Sequence, residues 1–91
     1  MAGPGEVTVE FFGLPRLRAG RAELGVPPGN VADVLAAVGR ACPGLEGLLQ
    51  PDGRLSPHYL LSLDGRVFLS DLTQEVRAGE KVLLLSADAG G

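Results

Sequence analysis

The sequence is poor in the residues that carry most chemistry. It holds one cysteine (Cys42), one histidine (His58) and one lysine (Lys81). A single cysteine excludes an intrachain disulfide and agrees with a reducing compartment. A single histidine beside Pro57, at the mouth of a strand, has no partner to make a nucleophile–base pair, so a structural or solvated role is expected. Cys42 sits where a helix ends. The negative end of the helix dipole disfavours a thiolate there, and packing is its expected role. No CxxC, HExxH or glycine-rich phosphate loop occurs, and the acidic residues are dispersed. No metal site and no self-contained active site is expected. The chain has no excess of positive charge. Its net charge of −3 gives no electrostatic case for binding a nucleic-acid backbone. Arg16, Arg18 and Arg21 form a local basic cluster, read either as a solvated face or as a contact for an acidic partner. No apolar run approaches the roughly 20 residues that cross a bilayer, and "MAGPGEV" lacks the features of a signal peptide. No membrane contact and a cytoplasmic location are therefore expected.

What is present is a modest apolar core. Hydrophobic residues make up 45% of the chain and charged residues 21%, as in a sequence that folds. No internal repeat or linker divides it, so 1–91 reads as one domain. "EVTVEFF" alternates, with Val7, Val9 and Phe11 on one face and Thr8, Glu10 and Phe12 on the other. Period two predicts a half-buried strand. "GLPRLRAG" reads as loop or turn, "RAELGV" as a second strand, and "PPGN" breaks it. Asn30 is placed to N-cap a helix, with Asp33 in its first turn. Val31, Val34, Leu35 and Val38 make one apolar stripe, and "CPG" at 42–44 ends it. Leu45, Leu48 and Leu49 suggest a short helical turn, and "PDGRLSP" a surface loop. "HYLLSL-DG-RVFL" reads as a hairpin on a type I′ turn, "RAGE" as another turn and "KVLLL" as the last strand. The order strand, strand, helix, strand, strand, strand predicts an α+β fold of the β-grasp, ubiquitin-like kind. A mixed sheet of four or five strands would carry one main helix across one face, with the first and last strands parallel at its centre. A ferredoxin-like fold would need a second full-length helix, for which "LEGLLQ" is too short.

The tail "SADAGG" follows the last strand directly and is expected to be a flexible segment, 86–91. A carboxylate is inert toward acyl transfer until it is activated, usually as an acyl-adenylate. A terminal Gly90–Gly91 pair has no Cβ and suits threading into an enzyme's narrow nucleotide site. Six extended residues reach about 20 Å. In "KVLLL" the helix can cover only one face. Leu83 and Leu85 are then left on the other, where Phe12 and Leu60 would join them as an apolar docking patch. The alternative is that the loop "PDGRLSP" covers these residues and makes them core.

"VTVEFFG", "GNVADVLAAV", "LDGR", "RAGEKVLLL" and the terminal "AGG", in this order over about residues 6–91, resemble the small ubiquitin-like sulfur carriers. That family includes the small subunit of molybdopterin synthase and the thiazole-synthesis sulfur carrier. The resemblance implies a carrier with no catalysis of its own. Gly91 would be adenylated by a ubiquitin-activating-type enzyme using ATP and magnesium, then converted to a thiocarboxylate with sulfur from a persulfide or sulfurtransferase donor. A downstream synthase would accept the sulfur, in molybdopterin, thiamine, thiolated-tRNA or cysteine formation. Phe12 and Leu85 fall at family positions that face partner proteins. One departure stands out: "SAD" replaces the usual proline-containing stretch before the glycines, which places Asp88 where the activating enzyme must grip the tail. Two other readings share the same residues. One is a protein modifier joined to lysines through Gly91, and the other a β-grasp interaction module whose glycines are incidental.

Overall fold

The computed structural model of the chain describes residues 3–87. Seven strands and two helices are present among them: β1 (Val7–Phe11), α1 (Leu14–Ala19), β2 (Glu23–Val26), β3 (Gly29–Asn30), α2 (Val31–Ala41), β4 (Tyr59–Leu63), β5 (Val67–Phe68), β6 (Glu75–Val76) and β7 (Lys81–Ser86). Five strands form one sheet in the order β2-β1-β7-β4-β5, and β3 and β6 form a small antiparallel ladder beside it. β1 and β7 run parallel at the centre, with Thr8 opposite Lys81 and Phe11 opposite Leu84. Every other pair in the sheet is antiparallel. This is the β-grasp arrangement expected from the order of elements.

Period two explains the sheet. Val7, Val9 and Phe11 of β1 and Val82 and Leu84 of β7 are buried on one face, because alternate residues of a strand point the same way. α2 supplies the cover. Its stripe of Val31, Val34, Leu35 and Val38 is buried in the same cluster as those strand residues. The helix starts where the sequence places it. The Asn30 side chain accepts a hydrogen bond from the Asp33 N–H at 2.8 Å, and the Asp33 carboxylate accepts one from the Asn30 N–H at 3.1 Å. This reciprocal box satisfies two donors that the first turn leaves open. The helix closes at Cys42, whose N–H donates to the Val38 carbonyl.

Three segments differ from expectation. "GLPRLRAG" is not a loop: Leu14–Ala19 forms the short helix α1, entered through Gly13, with Pro15 buried in its first turn and closed by Gly20 in the left-handed conformation. Proline suits the start of a helix and glycine its end. The Leu45–Leu49 segment is a pair of turns and not a helical turn. Its N–H groups bond back three residues, Leu45 to Cys42 and Leu48 to Leu45, while Leu45 and Leu48 are buried. β7 runs on to Ser86, and the Ala87 N–H bonds to the His58 carbonyl, so the chain leaves the sheet later than the expected tail boundary.

The β4–β5 hairpin turns at Asp64 and Gly65, both at positive φ, as a type I′ turn requires. α1 docks on the turn after α2. A Cβ at Gly44 would collide with the Arg18 carbonyl, so the close approach of the two backbones needs a glycine at that point.

Candidate docking face and tail exit

α2 packs on one side of the sheet, and among the described residues no second full-length helix lies across the other. Alternation decides which residues face outward. In β7, Val82 and Leu84 are fully buried while Leu83 and Leu85 are partly exposed. In β4, Tyr59 and Leu61 belong to the core, and Leu60 and Ser62 point the opposite way. Leu60 pairs with Leu85, and Ser62 pairs with both Leu83 and Phe68. Phe12 follows β1 directly, and its N–H donates to the Leu84 carbonyl at 3.1 Å, which brings it level with Leu85. Phe12, Leu85 and Leu60 thus make one row across the open face, with Leu83 in the next.

Phe12 is 40% exposed. The loop 51–57 closes on itself, and Arg54–Pro57 line one cavity with Leu60 and Phe68 at the edge of this face. Gln50 and Arg54 are joined through their backbones, Leu49 bridges Leu55, and the Ser56 N–H bonds to Leu48. Phe68, 67% exposed, extends the face on the edge strand. Sequence reasoning placed it in a hairpin but did not add it to the patch. Its period-two relation to Ser62 and Leu83 becomes visible only once the hairpin register is fixed. At the far end of the face Lys81 and Glu10 form an ion pair of 2.7 Å.

β7 ends at a defined corner. Tyr59 lies opposite Ser86, and the His58 carbonyl holds the Ala87 N–H at 2.9 Å. A groove at this corner is lined by Leu14, Arg18, Glu46, Gly47, His58, Tyr59 and Ser86. Arg18 donates to the Tyr59 hydroxyl at 2.8 Å, tying α1 to the strand that pairs with the end of β7. The expected site residues Asp88, Gly90 and Gly91 lie outside the described residues.

His58 is exposed, and no polar partner of its ring is recorded among the described residues. Cys42 is buried, and burial pushes its thiol above the usual range, with the Arg21 guanidinium opposing the shift. Among the described residues no group of three or more His, Cys, Asp or Glu is placed to hold a metal ion. No helix among them is long and apolar enough to cross a membrane.

A mixed sheet with a central parallel pair and one full helix packed across one face defines the chain as a β-grasp protein of the ubiquitin-like class. No protein-family model and no curated protein sequence matches it. Solved structures do. SAMP1 from Haloferax volcanii is 26% identical with a TM-score of 0.80, and the match covers 96% of this chain and 100% of that one. A putative molybdopterin converting factor subunit 1 from Pyrococcus furiosus is 17% identical with a TM-score of 0.68, over 89% of this chain and 95% of that one. Urm1 from Trypanosoma brucei is 21% identical with a TM-score of 0.66, over the full length of both. The chain therefore resembles the small ubiquitin-like carriers and modifiers over nearly its whole length, as its sequence motifs suggest.

Proposed function

We propose that this chain is a ubiquitin-like sulfur carrier, a protein cosubstrate of the cytoplasm that other enzymes act on. The observation that carries this reading is the path of β7. It runs up the centre of the sheet, presents Leu83 and Leu85 on the face away from α2 and delivers the chain at the corner beyond Ser86. The sequence then reads Asp88, Ala89, Gly90, Gly91. In this reading an activating enzyme docks on Phe12, Leu60, Leu83 and Leu85 and takes the Gly91 carboxylate into its nucleotide site. The carboxylate oxygen attacks the α-phosphorus of magnesium-bound ATP, and pyrophosphate leaves. A persulfide sulfur from the donor then attacks the acyl carbon and AMP leaves. A thiol reduces the resulting acyl disulfide and frees the thiocarboxylate for a sulfur-accepting synthase. The protein supplies the docking face and a side-chain-free acyl end, and the partners supply the catalysis.

Intact-protein mass spectrometry on untagged protein from its native cells is the test. It reads whether Gly91 is the C-terminal residue of the mature chain. It also reads whether that carboxylate carries sulfur, an addition of about 16 Da that thiol-specific alkylation separates from methionine or cysteine oxidation. A thiocarboxylate on Gly91 is the expected result. A chain that continues past Gly91, or a Gly91 carboxylate that stays unmodified with ATP and the cell's own activating enzymes, overturns the reading.

The likeness to SAMP1, from a group of small archaeal modifier proteins, favours a second reading in which Gly91 is joined to lysines of target proteins. Adducts of higher mass that resist reducing agents would mark this use. Lys81 is the only lysine, and it is ion-paired to Glu10 of the neighbouring β1, so self-linked polymers would be poorly provided for.

A further inference from the structure

The open sheet face does not account for a second exposed surface, on α1. Of the five large hydrophobic residues exposed among the described ones, three fall between Phe12 and Leu17: Phe12, Leu14 at 42% and Leu17 at 79%. α1 buries only Pro15, so Leu14 and Leu17 contribute little to the core. The same stretch is the basic pole of an acidic protein. Phe12–Ala22 contains Arg16, Arg18 and Arg21 and no Asp or Glu. With the whole chain at −3, the remaining residues carry −6. Arg18 and Arg21 have recorded roles, Arg18 on the Tyr59 hydroxyl and Arg21 on the Glu23 carbonyl. The Arg16 carbonyl caps α1 by accepting from the Gly20 N–H, while its exposed guanidinium has no hydrogen bond or ion pair among the described residues. Two exposed leucines beside an uncommitted arginine are more than folding requires of a six-residue helix.

Position gives this surface a use. α1 begins two residues after Phe12, the end of the apolar row on the open face. Leu14 and Arg18 line the groove from which the chain leaves at Ser86. The surface therefore adjoins Phe12 in sequence and borders the groove at the end of β7.

We propose that α1 is a second docking element, with Leu14, Leu17 and Arg16 seated against an acidic-rimmed apolar pocket on the adenylating enzyme. Opposite charge steers the encounter and sets its orientation, and the leucines supply the desolvated contact. The open face grips the body of the protein, and α1 fixes its rotation so that the corner beyond Ser86 points at the nucleotide site. This inference rests on the carrier reading above.

The test is ATP–pyrophosphate exchange by the purified activating enzyme of the same genome, with radiolabelled pyrophosphate and this protein as the varied substrate. Three variants are compared with the parent: Arg16→Glu, Leu17→Ser and Arg77→Glu. The last makes the same charge change in the turn before β7, at the opposite end of that strand. Arg16→Glu and Leu17→Ser are each expected to raise KM roughly tenfold. Arg77→Glu should leave KM within about twofold of the parent, as expected of a charge outside the contact. Raising salt from about 50 to 500 mM should raise the parent's KM and bring that of Arg16→Glu closer to it, because screening weakens both the attraction of the basic pole and the repulsion that the introduced carboxylate adds. Thermal melts of all three close to the parent's separate docking from folding. If Arg16→Glu and Leu17→Ser keep the parent's KM, or if Arg77→Glu matches Arg16→Glu, α1 is not a docking element while the carrier reading stands. If the parent supports no exchange, both fall.

Discussion

Leu84 and Leu85 are neighbours in β7 and offer the sharpest test of how this sheet divides its work. Leu84 is fully buried on the helix side, opposite Phe11 of β1 and Leu61 of β4, which are themselves buried. Truncating it to alanine removes three carbons from a packed site flanked on both sides. Such a site has little room to collapse, and the cost is about 3 kcal/mol, within the usual 2–5 for Leu→Ala. A domain of this size loses about 4–8 °C in Tm per kcal/mol. Leu84→Ala should therefore melt about 12–24 °C lower, a large part of a total stability of about 5–15 kcal/mol. Leu85 faces the other way and is only partly covered, so Leu85→Ala should cost about 1 kcal/mol or less. The assay is urea unfolding of both variants and the parent, with m expected to be unchanged. Association with the activating enzyme should show the reverse order. Leu85→Ala should weaken it, whereas Leu84→Ala should keep parental affinity in its folded fraction. Equal losses of stability in the two variants would refute the assignment of faces. Parental binding by Leu85→Ala would remove the open face from the docking scheme.

Further outcomes are expected at four sites. Asn30→Ala should lose about 1 kcal/mol in chemical denaturation, since it removes the side-chain half of the α2 capping box, and Asn30→Asp should recover most of that loss. Gly44→Ala should lose about 1–3 kcal/mol, because the new Cβ meets a backbone carbonyl of Arg18 that cannot swing aside. Cys42 should resist alkylation in the native protein at pH 8 and react on denaturation. Because burial raises its folded-state pKa, its contribution is complete below the unfolded thiol pKa of about 8.5 and is lost as pH climbs from there toward the folded value. Unfolding midpoints of Cys42→Ala and the parent should therefore converge as pH rises above that value. The Lys81–Glu10 pair follows the same sign in a higher window. The hydrogen bond and charge of Glu10 raise the Lys81 pKa, so its stabilising effect holds below about pH 10.4 and fades above, as pH–denaturation profiles of Glu10→Gln would show.

Much of this fold is legible in the sequence because its main elements are periodic and capped. Val7, Val9 and Phe11 declare a strand, Val31 to Val38 a helix, and Asn30 with Asp33 the residue where that helix begins. The Asp64–Gly65 turn declares the hairpin. The central parallel pair follows from element order, since the first and last strands have few other places to go. α1 escapes the same reasoning because it is too short to show a stripe and buries little. Its signal is punctuation, Pro15 in the first turn and Gly20 after the last, and flanking glycines make such a segment read as loop. β3 and β6, two residues each, are defined by each other and leave no local trace. Leu45, Leu48 and Leu49 carry helical spacing because they pack on the core, while Gly47 at positive φ breaks the helix between them. The apolar row on the face away from α2 is readable by parity alone for Phe12, Leu60, Leu83 and Leu85. Phe68 joins only through hairpin register, and the exposure of Leu17 only through the existence of α1.

The pairing of β1 with β7 has a consequence for how the protein is made. These strands come from opposite ends of the chain, and each is the other's neighbour at the middle of the sheet. A sheet closed by so distant a contact has a large loop to close and forms slowly compared with a fold built from local contacts. During synthesis β1 and β2 emerge early as a hairpin that must wait for its central partner, because chains are completed from the N-terminus. The strand that completes the core is also the one that carries Leu83, Leu85 and the segment beyond Ser86. A chain stalled before β7 thus has neither a finished sheet nor the apolar row of Leu83 and Leu85, and under the proposed docking scheme a partner would meet only chains whose synthesis has passed that strand.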